Sequence, residues 1–305
     1  MPQYTVRRRV RGRWSLTTSR SFWEGFTPAV LPGRSPGPND ALHTVFRVDE
    51  DWSHAQAEVT QDGQTAIVQV TGDGDLDAAA AQVGRFLSLD VDATDWPQVG
   101  RRDAVIGDAQ RRLPGLRPCG FHSPYEAAAW AVLSQRIRIA QAAKLRAQLV
   151  RDHGDDGAFP APSRLRRLDL DLPGRKTEYL QAVAEAALDG QLDGARLQTA
   201  DPAHAVRQLQ SILGIGPFAA ELIVLRGANA PDALPRHEGR LDAEIAEQYG
   251  VGRALEDIAE LWRPFRTWAA VHLRALREQR THEIAGPLTT SRHRGIGARE
   301  EIRGS

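Results

Sequence analysis

Residues 211–227 read SILGIGPFAAELIVLRG, and the Gly214-Ile215-Gly216-Pro217 turn inside this stretch decides how the rest of the chain is read. Before the turn, Pro202 to Ile212 carries apolar residues at helical spacing: Ala205, Val206, Leu209 and Ile212. After it, Pro217 to Arg226 carries Phe218, Leu222, Ile223 and Leu225. Two helices therefore meet at a tight corner. Glycine permits positive φ and lets another backbone come close. Proline suits the first turn of the second helix, where its missing N–H costs nothing. The N–H groups of Gly214, Gly216 and Phe218 are expected to face outward, beside the positive end of a helix dipole. Such a turn docks a DNA phosphate without a charged side chain. The plainer alternative is a helix corner whose glycines serve packing.

Downstream, residues 232–238 read Asp-Ala-Leu-Pro-Arg-His-Glu, and Gly239-Arg240-Leu241 opens a helical pattern ending near Tyr249-Gly250. Leu261-Trp262-Arg263-Pro264-Phe265-Arg266-Thr267-Trp268 follows. Upstream, residues 115–145 read GLRPCGFHSPYEAAAWAVLSQRIRIAQAAKL. This order resembles the helix-hairpin-helix DNA glycosylases, in particular the bacterial DNA-3-methyladenine glycosylase II type. The similarity spans roughly residues 10–280, is close from 115 to 278 and loose before 80. It implies an α+β fold, predominantly α. A small N-terminal α/β domain (1–110) would precede a two-lobed helical body (111–282) with the hairpin at 202–227. Residues 283–305 are polar, glycine-rich and aperiodic, and read as a disordered tail.

The residues themselves support this division. With 305 residues the chain can bury a large core in about two domains. Residues 42–72 alternate in strand fashion, with turn signals at Asp62-Gly63 and Gly72-Asp73-Gly74. Val59, Ile67, Val68 and Val70 are its apolar positions, and 75–89 reads as a helix. Further helices are predicted over 102–112, 123–135, 139–152, 163–169, 175–189, 202–212, 217–227, 238–249, 254–261 and 264–279. Residues 1–40 read as basic and then Pro/Gly-rich. Trp262, Pro264, Phe265 and Trp268 form an aromatic cluster of the kind that usually packs a core.

Charge gives no global signature, because 39 Lys and Arg balance 39 Asp and Glu. A DNA reading therefore rests on local arginines such as Arg136 with Arg138, Arg236 with Arg240, and Arg263 with Arg266. Scattered charges of this kind also form ordinary solvated faces. The single cysteine, Cys119, excludes an intramolecular disulfide framework and any four-cysteine iron–sulfur cluster. It reads as a packing residue rather than a nucleophile. No apolar run is long enough for a membrane span, and the N-terminus carries no hydrophobic signal. The expectation is a cytoplasmic protein with no membrane partner.

Excising a base from a duplex requires extruding the nucleotide into a pocket. It also requires a carboxylate near C1′ to stabilise an oxocarbenium-like transition state or to activate water. In the resembled family a carboxylate, normally Asp, follows the hairpin. Glu238 lies 11 residues beyond Gly227 (238 − 227), at the expected spacing, and is the catalytic candidate. Glu is one methylene longer than Asp, a displacement of ~1.5 Å. Misplacement on that scale can cost on the order of 100-fold in rate. The pocket is then re-cut around Glu, or activity is weak, or the site binds without cleaving. His237 is the alternative acid/base if the register slips by one. Glu238 also fits a helix-start carboxylate that complements the dipole, with Asp242 one turn beyond.

The resemblance assigns further roles. Gln135-Arg136-Ile137-Arg138 occupies the turn from which the family fills the hole left by a flipped base. Arg136 falls at the wedge position, flanked by Gln135 and Arg138 as DNA contacts. A phosphate contact or simple surface charge is the alternative for Arg136. The expected base pocket comprises Phe218, Leu222, Arg274 and Trp130. Arg274 stands where an aromatic is expected and disfavours a positively charged 3- or 7-alkyl purine. A base that is neutral or carries polar substituents fits better. Bifunctional relatives use a lysine as Schiff-base nucleophile, and no lysine follows Lys176. The expectation is a monofunctional glycosylase that acts as a monomer on double-stranded DNA containing a modified base and leaves an abasic site. It needs no cofactor and no catalytic metal, although the resemblance implies a monovalent cation at the hairpin carbonyls. The competing reading is a lesion-binding protein that does not cleave.

Overall fold

The computed structural model describes residues 1–25 and 41–282. Phe26, the Pro/Gly-rich stretch 31–38 and the tail 283–305 lie outside the described residues. The chain is predominantly helical with one small antiparallel sheet. Strands β1 (Gln3–Arg9), β2 (Leu42–Arg47), β3 (His54–Asp62) and β4 (Thr65–Gly72) are arranged in the order β1-β4-β3-β2. The Asp62-Gly63 signal is the β3–β4 turn, with Asp62 opposite Thr65 and Gly63 at φ +57°. Register sets Val59 opposite Val68, both buried, whereas Ile67 lies on the other, half-covered face.

Helix α1 (Leu16–Glu24) and helix α2 (Leu76–Phe86) accompany the sheet, and Trp14, Phe46, Val70 and Phe86 are part of its core. Ser15 and Asp75 cap these helices by accepting from the N–H groups of Thr18 and Ala78. The basic run at residues 1–40 conceals β1, and α1 also falls where no helix was expected. In β1 most side chains are exposed, so apolar alternation is weak.

Two helical lobes follow. One contains α5 (Pro124–Leu133), α6 (Ile139–His153), α7 (Pro162–Leu165), α8 (Lys176–Leu188), α9 (Gly194–Thr199), α10 (Pro202–Leu209) and α11 (Pro217–Leu222). Its core includes Tyr125, Leu149, Leu180, Leu209 and Ile223. The other joins α3 (Trp96–Arg102) and α4 (Ala104–Arg112) to α12 (Gly239–Tyr249), α13 (Leu255–Ala259) and α14 (Arg266–Thr281). The expected aromatic cluster is this second core, with Trp262, Phe265 and Trp268 each no more than 3% exposed. Helix α4 matches the helix expected over 102–112, α3 falls where none was expected, and Asp103 separates the two. Its Oδ1 caps α4, and its Oδ2 accepts from the Tyr249 hydroxyl at 2.7 Å and Trp262 Nε1 at 2.8 Å.

Arg117 bolts these parts together from the Leu116-Arg117-Pro118 segment. Its Nη1 donates to the carbonyls of Ser88 at 2.6 Å and Val91 at 2.9 Å, and its guanidinium lies over the Trp268 ring at 5.4 Å. Cys119 is buried in the sheet-side core, and burial pushes its thiol up to about 12, consistent with packing rather than nucleophilic chemistry.

Candidate active site and nucleic-acid interface

The hairpin forms as two short helices around the expected turn. Gly214 has φ +88°, and a Cβ there would meet the Tyr179 ring at 2.4 Å, so glycine is required twice over. Gly216 is different. It has extended backbone at the start of α11, and a Cβ there would meet nothing within 4 Å. The turn is exposed, and Leu213 and Phe218 are large apolar side chains on its surface at 45% and 49% exposure.

Helix α11 runs into a π turn over Ile223–Gly227. Single π turns are uncommon and recur at functional sites. Phe218, Glu221, Leu222, Leu225 and Arg226 face one cavity, a spacing of alternating threes and ones that marks one helix face. Behind this face the backbone is packed tightly against the 115–127 segment. A Cβ on Gly120 would meet the Arg226 carbonyl oxygen at 2.2 Å, and one on Gly227 would meet Pro124 Cα at 2.7 Å.

The cavity has a volume of about 700 Å³ and opens between the lobes. Trp130 of α5, Phe22 of α1, Arg274 of α14 and Glu238 also line it. The structure therefore brings Glu238, Phe218, Leu222, Arg274 and Trp130 together around one space. His237 does not line it.

Glu238 sits at the N-cap position of α12 but makes no capping hydrogen bond. Its charge lies at the start of α12, where it complements the helix dipole, but its side chain does not cap the helix. Glu238 Oε1 instead accepts from Arg274 Nε at 2.5 Å, with the carboxylate 29% and the guanidinium 11% exposed. Arg274 Nη1 is buried without a partner among the described residues. Arg226 is the second guanidinium of the wall. Burial lowers its pKa, the Glu238 carboxylate raises it and the Arg274 charge lowers it. Its Nη2 donates to the Cys119 carbonyl at 2.8 Å, and its guanidinium lies over Phe22 at 5.5 Å.

Sequence reasoning missed Arg226, and it missed Glu221. Glu221 lines the cavity with its side chain 6% exposed, and grips His237 through both the ring Nδ1 at 2.8 Å and the backbone N–H at 3.0 Å. A lone carboxylate inside the apolar run FAAELIVL was the available signal. Asp242 is exposed, one turn along α12, and does not reach the cavity wall.

The wedge candidates occupy the turn between α5 and α6. Arg136 has φ +55° and is exposed, as is Arg138. Gln135 is turned inward, and its Nε2 donates to the Gly214 carbonyl at 2.8 Å. Lys176 fixes the same turn from below, donating from Nζ to the carbonyls of Val132 at 2.8 Å and Gln135 at 2.7 Å. Burial lowers the pKa of Lys176. The wedge turn and the hairpin are thus tied to each other and to α8.

No helix among the described residues is long and apolar enough to cross a membrane. Among them there is also no group of three or more His, Cys, Asp and Glu side chains arranged to hold a metal.

Comparison with known proteins agrees with this fold. No family model matches the chain. It is 32% identical over 215 residues to DNA-3-methyladenine glycosylase 2 of Escherichia coli, covering 65% of this chain and 73% of that one. It is 27% identical over 252 residues to a DNA-3-methyladenine glycosylase of Bacillus subtilis, covering 75% and 83%. Among solved structures, a 3-methyladenine DNA-glycosylase from Archaeoglobus fulgidus has the same fold, with a TM-score of 0.69 at 18% identity over 92% of this chain and all of that one.

Proposed function

The chain belongs to the DNA-3-methyladenine glycosylase II family of helix-hairpin-helix DNA glycosylases, and from that premise we propose that it is a monofunctional enzyme that hydrolyses the N-glycosidic bond of a modified base in double-stranded DNA. The observation that carries this reading is Glu238. It is a helix-start carboxylate that caps nothing and is turned into a cavity large enough for a flipped nucleobase.

In this reading the exposed N–H groups of Gly214, Gly216 and Phe218 take a phosphate, aided by Arg138. Arg136 enters the stack as the base leaves it, with Gln135 fixing its turn. The base enters between Phe218, Leu222 and Trp130. Glu238 stabilises positive charge developing on the sugar as the C1′–N bond breaks. Its hydrogen bond with Arg274 sets its reach, which answers the extra methylene of Glu: the longer side chain is held back by the guanidinium.

Two buried guanidinia, Arg226 and Arg274, flank this carboxylate. They make the pocket unfavourable for a cationic methylpurine and favourable for a neutral base with hydrogen-bond acceptors. Monofunctional chemistry is supported by the lysines. The chain has only Lys144 and Lys176, neither lines the cavity, and Lys176 is committed to two carbonyls. Hydrolysis on this scheme needs no cofactor. The family implies a monovalent cation at the hairpin carbonyls. Two of these oxygens, on Ile212 and Gly214, already accept from Ile215 N–H and Gln135 Nε2, and no step is assigned to a cation.

The test is base release from duplexes carrying alkylated, deaminated or bulky modified bases, with wild type and Glu238→Gln side by side. Alkali-labile sites from a neutral modified base, lost in the variant while duplex binding is kept, are the expected result. Tight duplex binding by both proteins with no release from any substrate supports a lesion-binding protein instead. Borohydride trapping of a covalent adduct would count against monofunctional chemistry.

A further inference from the structure

We propose that Glu221 positions His237 as the proton acceptor for the attacking water, so that hydrolysis is divided between two consecutive side chains. This rests on the glycosylase reading above. Glu221 is 94% buried at its side chain, the complement of its 6% exposure, and spends both oxygens on one residue. Oε1 meets His237 Nδ1 at 2.8 Å and Oε2 accepts from the His237 N–H at 3.0 Å. A carboxylate this deep needs a partner. Here the partner lies on the segment that carries Glu238, and the two-point grip fixes both the backbone and the ring of that segment. With its proton held on Nδ1 by the carboxylate, neutral imidazole leaves a lone pair on Nε2. Nε2 has no partner among the described residues, and the His237 side chain is 49% exposed.

Location fits the role. The base of a flipped nucleotide occupies the cavity, whereas its sugar stays at the mouth. A group that acts on water at C1′ therefore belongs beside the wall rather than in it. His237 precedes Glu238 in the chain, is half-exposed and lies outside the cavity lining. Glu238 Oε1 is already taken by Arg274, and the carboxylate lies near Arg226, which suits it to face positive charge on the sugar. The charged groups around His237 are Glu221 of α11, Glu238 beside it, and Arg236, which pairs with Glu256 of α13 at 3.3 Å. Arg274 of α14 and Arg226 of the π turn lie beyond Glu238.

Water oxygen bonds to C1′ as the C1′–N bond breaks, and the bonding pair leaves with the base. The proton lost by water passes to His237 Nε2, and the imidazolium is stabilised by Glu221. The departed base takes a proton from solvent, and His237 returns its own to solvent.

Single-turnover base release is measured for wild type, Glu238→Gln, His237→Asn, His237→Gly and Glu221→Gln on the substrate that wild type cleaves, with duplex affinity read in parallel. His237→Asn is expected to slow release on the order of 100-fold with affinity unchanged. Imidazole added to His237→Gly is expected to restore at least ~10-fold of the rate. Glu221→Gln is expected to slow release on the order of 10-fold, unrescued by imidazole and without loss of affinity. Wild-type rates in His237→Asn, or a His237→Gly defect that imidazole leaves untouched, overturn the proposal whether or not Glu221→Gln folds. Absence of release by wild type overturns the glycosylase reading and this proposal with it. Release by wild type with an indifferent His237 overturns this proposal alone.

Discussion

Arg274 and Glu238, separated by 36 residues in the chain, meet at 2.5 Å in the wall of the cavity. On the proposed reading a single guanidinium bears on both partners of the reaction. It would hold the carboxylate assigned to the sugar and add positive charge where the base would rest. Its burial makes both effects stronger than they would be in water.

Arg274→Gln removes that charge and leaves Glu238 untethered. Cationic 3- and 7-methylpurines are expected to gain on neutral modified bases by about tenfold or more in relative kcat/KM, equivalent to ~1.4 kcal/mol of discrimination. The absolute rate on the neutral substrate should fall. Competition assays on mixed duplexes measure the ratio directly, and an unchanged ratio removes Arg274 from substrate choice.

The hairpin glycines are expected to behave differently from each other. Gly214→Ala places a Cβ at positive φ, at a cost of about 1–2 kcal/mol, and drives it into the Tyr179 ring. Thermal unfolding and duplex binding should both suffer. Gly216→Ala meets nothing in the protein. Its unfolding midpoint should match wild type while duplex affinity falls, because only an approaching DNA backbone occupies that space. Equal affinity in Gly216→Ala would place the phosphate elsewhere.

Lys176→Met leaves the carbonyls of Val132 and Gln135 without their donor, at a cost of about 1–3 kcal/mol for buried groups. The wedge turn loses its floor. Base release should fall more than tenfold, whereas affinity for an undamaged duplex should change less than about twofold, since non-specific binding is carried by phosphate contacts. Parallel losses in the two assays would mean that Lys176 supports only the overall fold.

His272 contributes one component of the pH dependence of stability. It is fully buried among Trp96 and Trp268, and burial lowers its pKa to about 4, against a smaller opposing effect of its hydrogen bond with the Trp268 carbonyl. The neutral ring is the native form. The unfolded chain takes up its proton first, near the ordinary value of 6.5, so the stabilisation is complete above pH 6.5 and is lost as pH falls toward 4. The difference amounts to about 3 kcal/mol. Between pH 7.5 and 4 the unfolding midpoint of wild type should fall relative to that of His272→Leu, because the buried Asp49 carboxyl, pushed up to about 7, acts in the opposite sense in both proteins.

How far the sequence could be read follows from the range of the interactions involved. The hairpin, the wedge turn and the helix behind Glu238 are local patterns written in glycine placement and helical spacing. Arg274 could be placed in the pocket through the family resemblance. The Glu221–His237 grip joins segments 16 residues apart across a loop, and Arg226 reaches the cavity through a π turn that ordinary helical periodicity does not anticipate. Strand β1 was hidden because its neighbours cover little of it, so its side chains are mostly charged and polar. The break between α3 and α4 depends on Asp103, whose second oxygen finds Tyr249 and Trp262 more than 140 residues later.

The hydrogen bond from Gln135 to the Gly214 carbonyl, with Lys176 donating to the Gln135 carbonyl, would make the proposed phosphate grip and the proposed wedge a single gauge. A gauge of fixed span does not adjust to what it meets. The duplex must supply the bend, and how readily it does so depends on its own stacking and pairing at that step. Damaged or mispaired sites yield more easily than intact ones. Interrogation of DNA by this protein is then first a test of mechanical compliance. Chemical inspection by the pocket comes second, on the few nucleotides that have already given way.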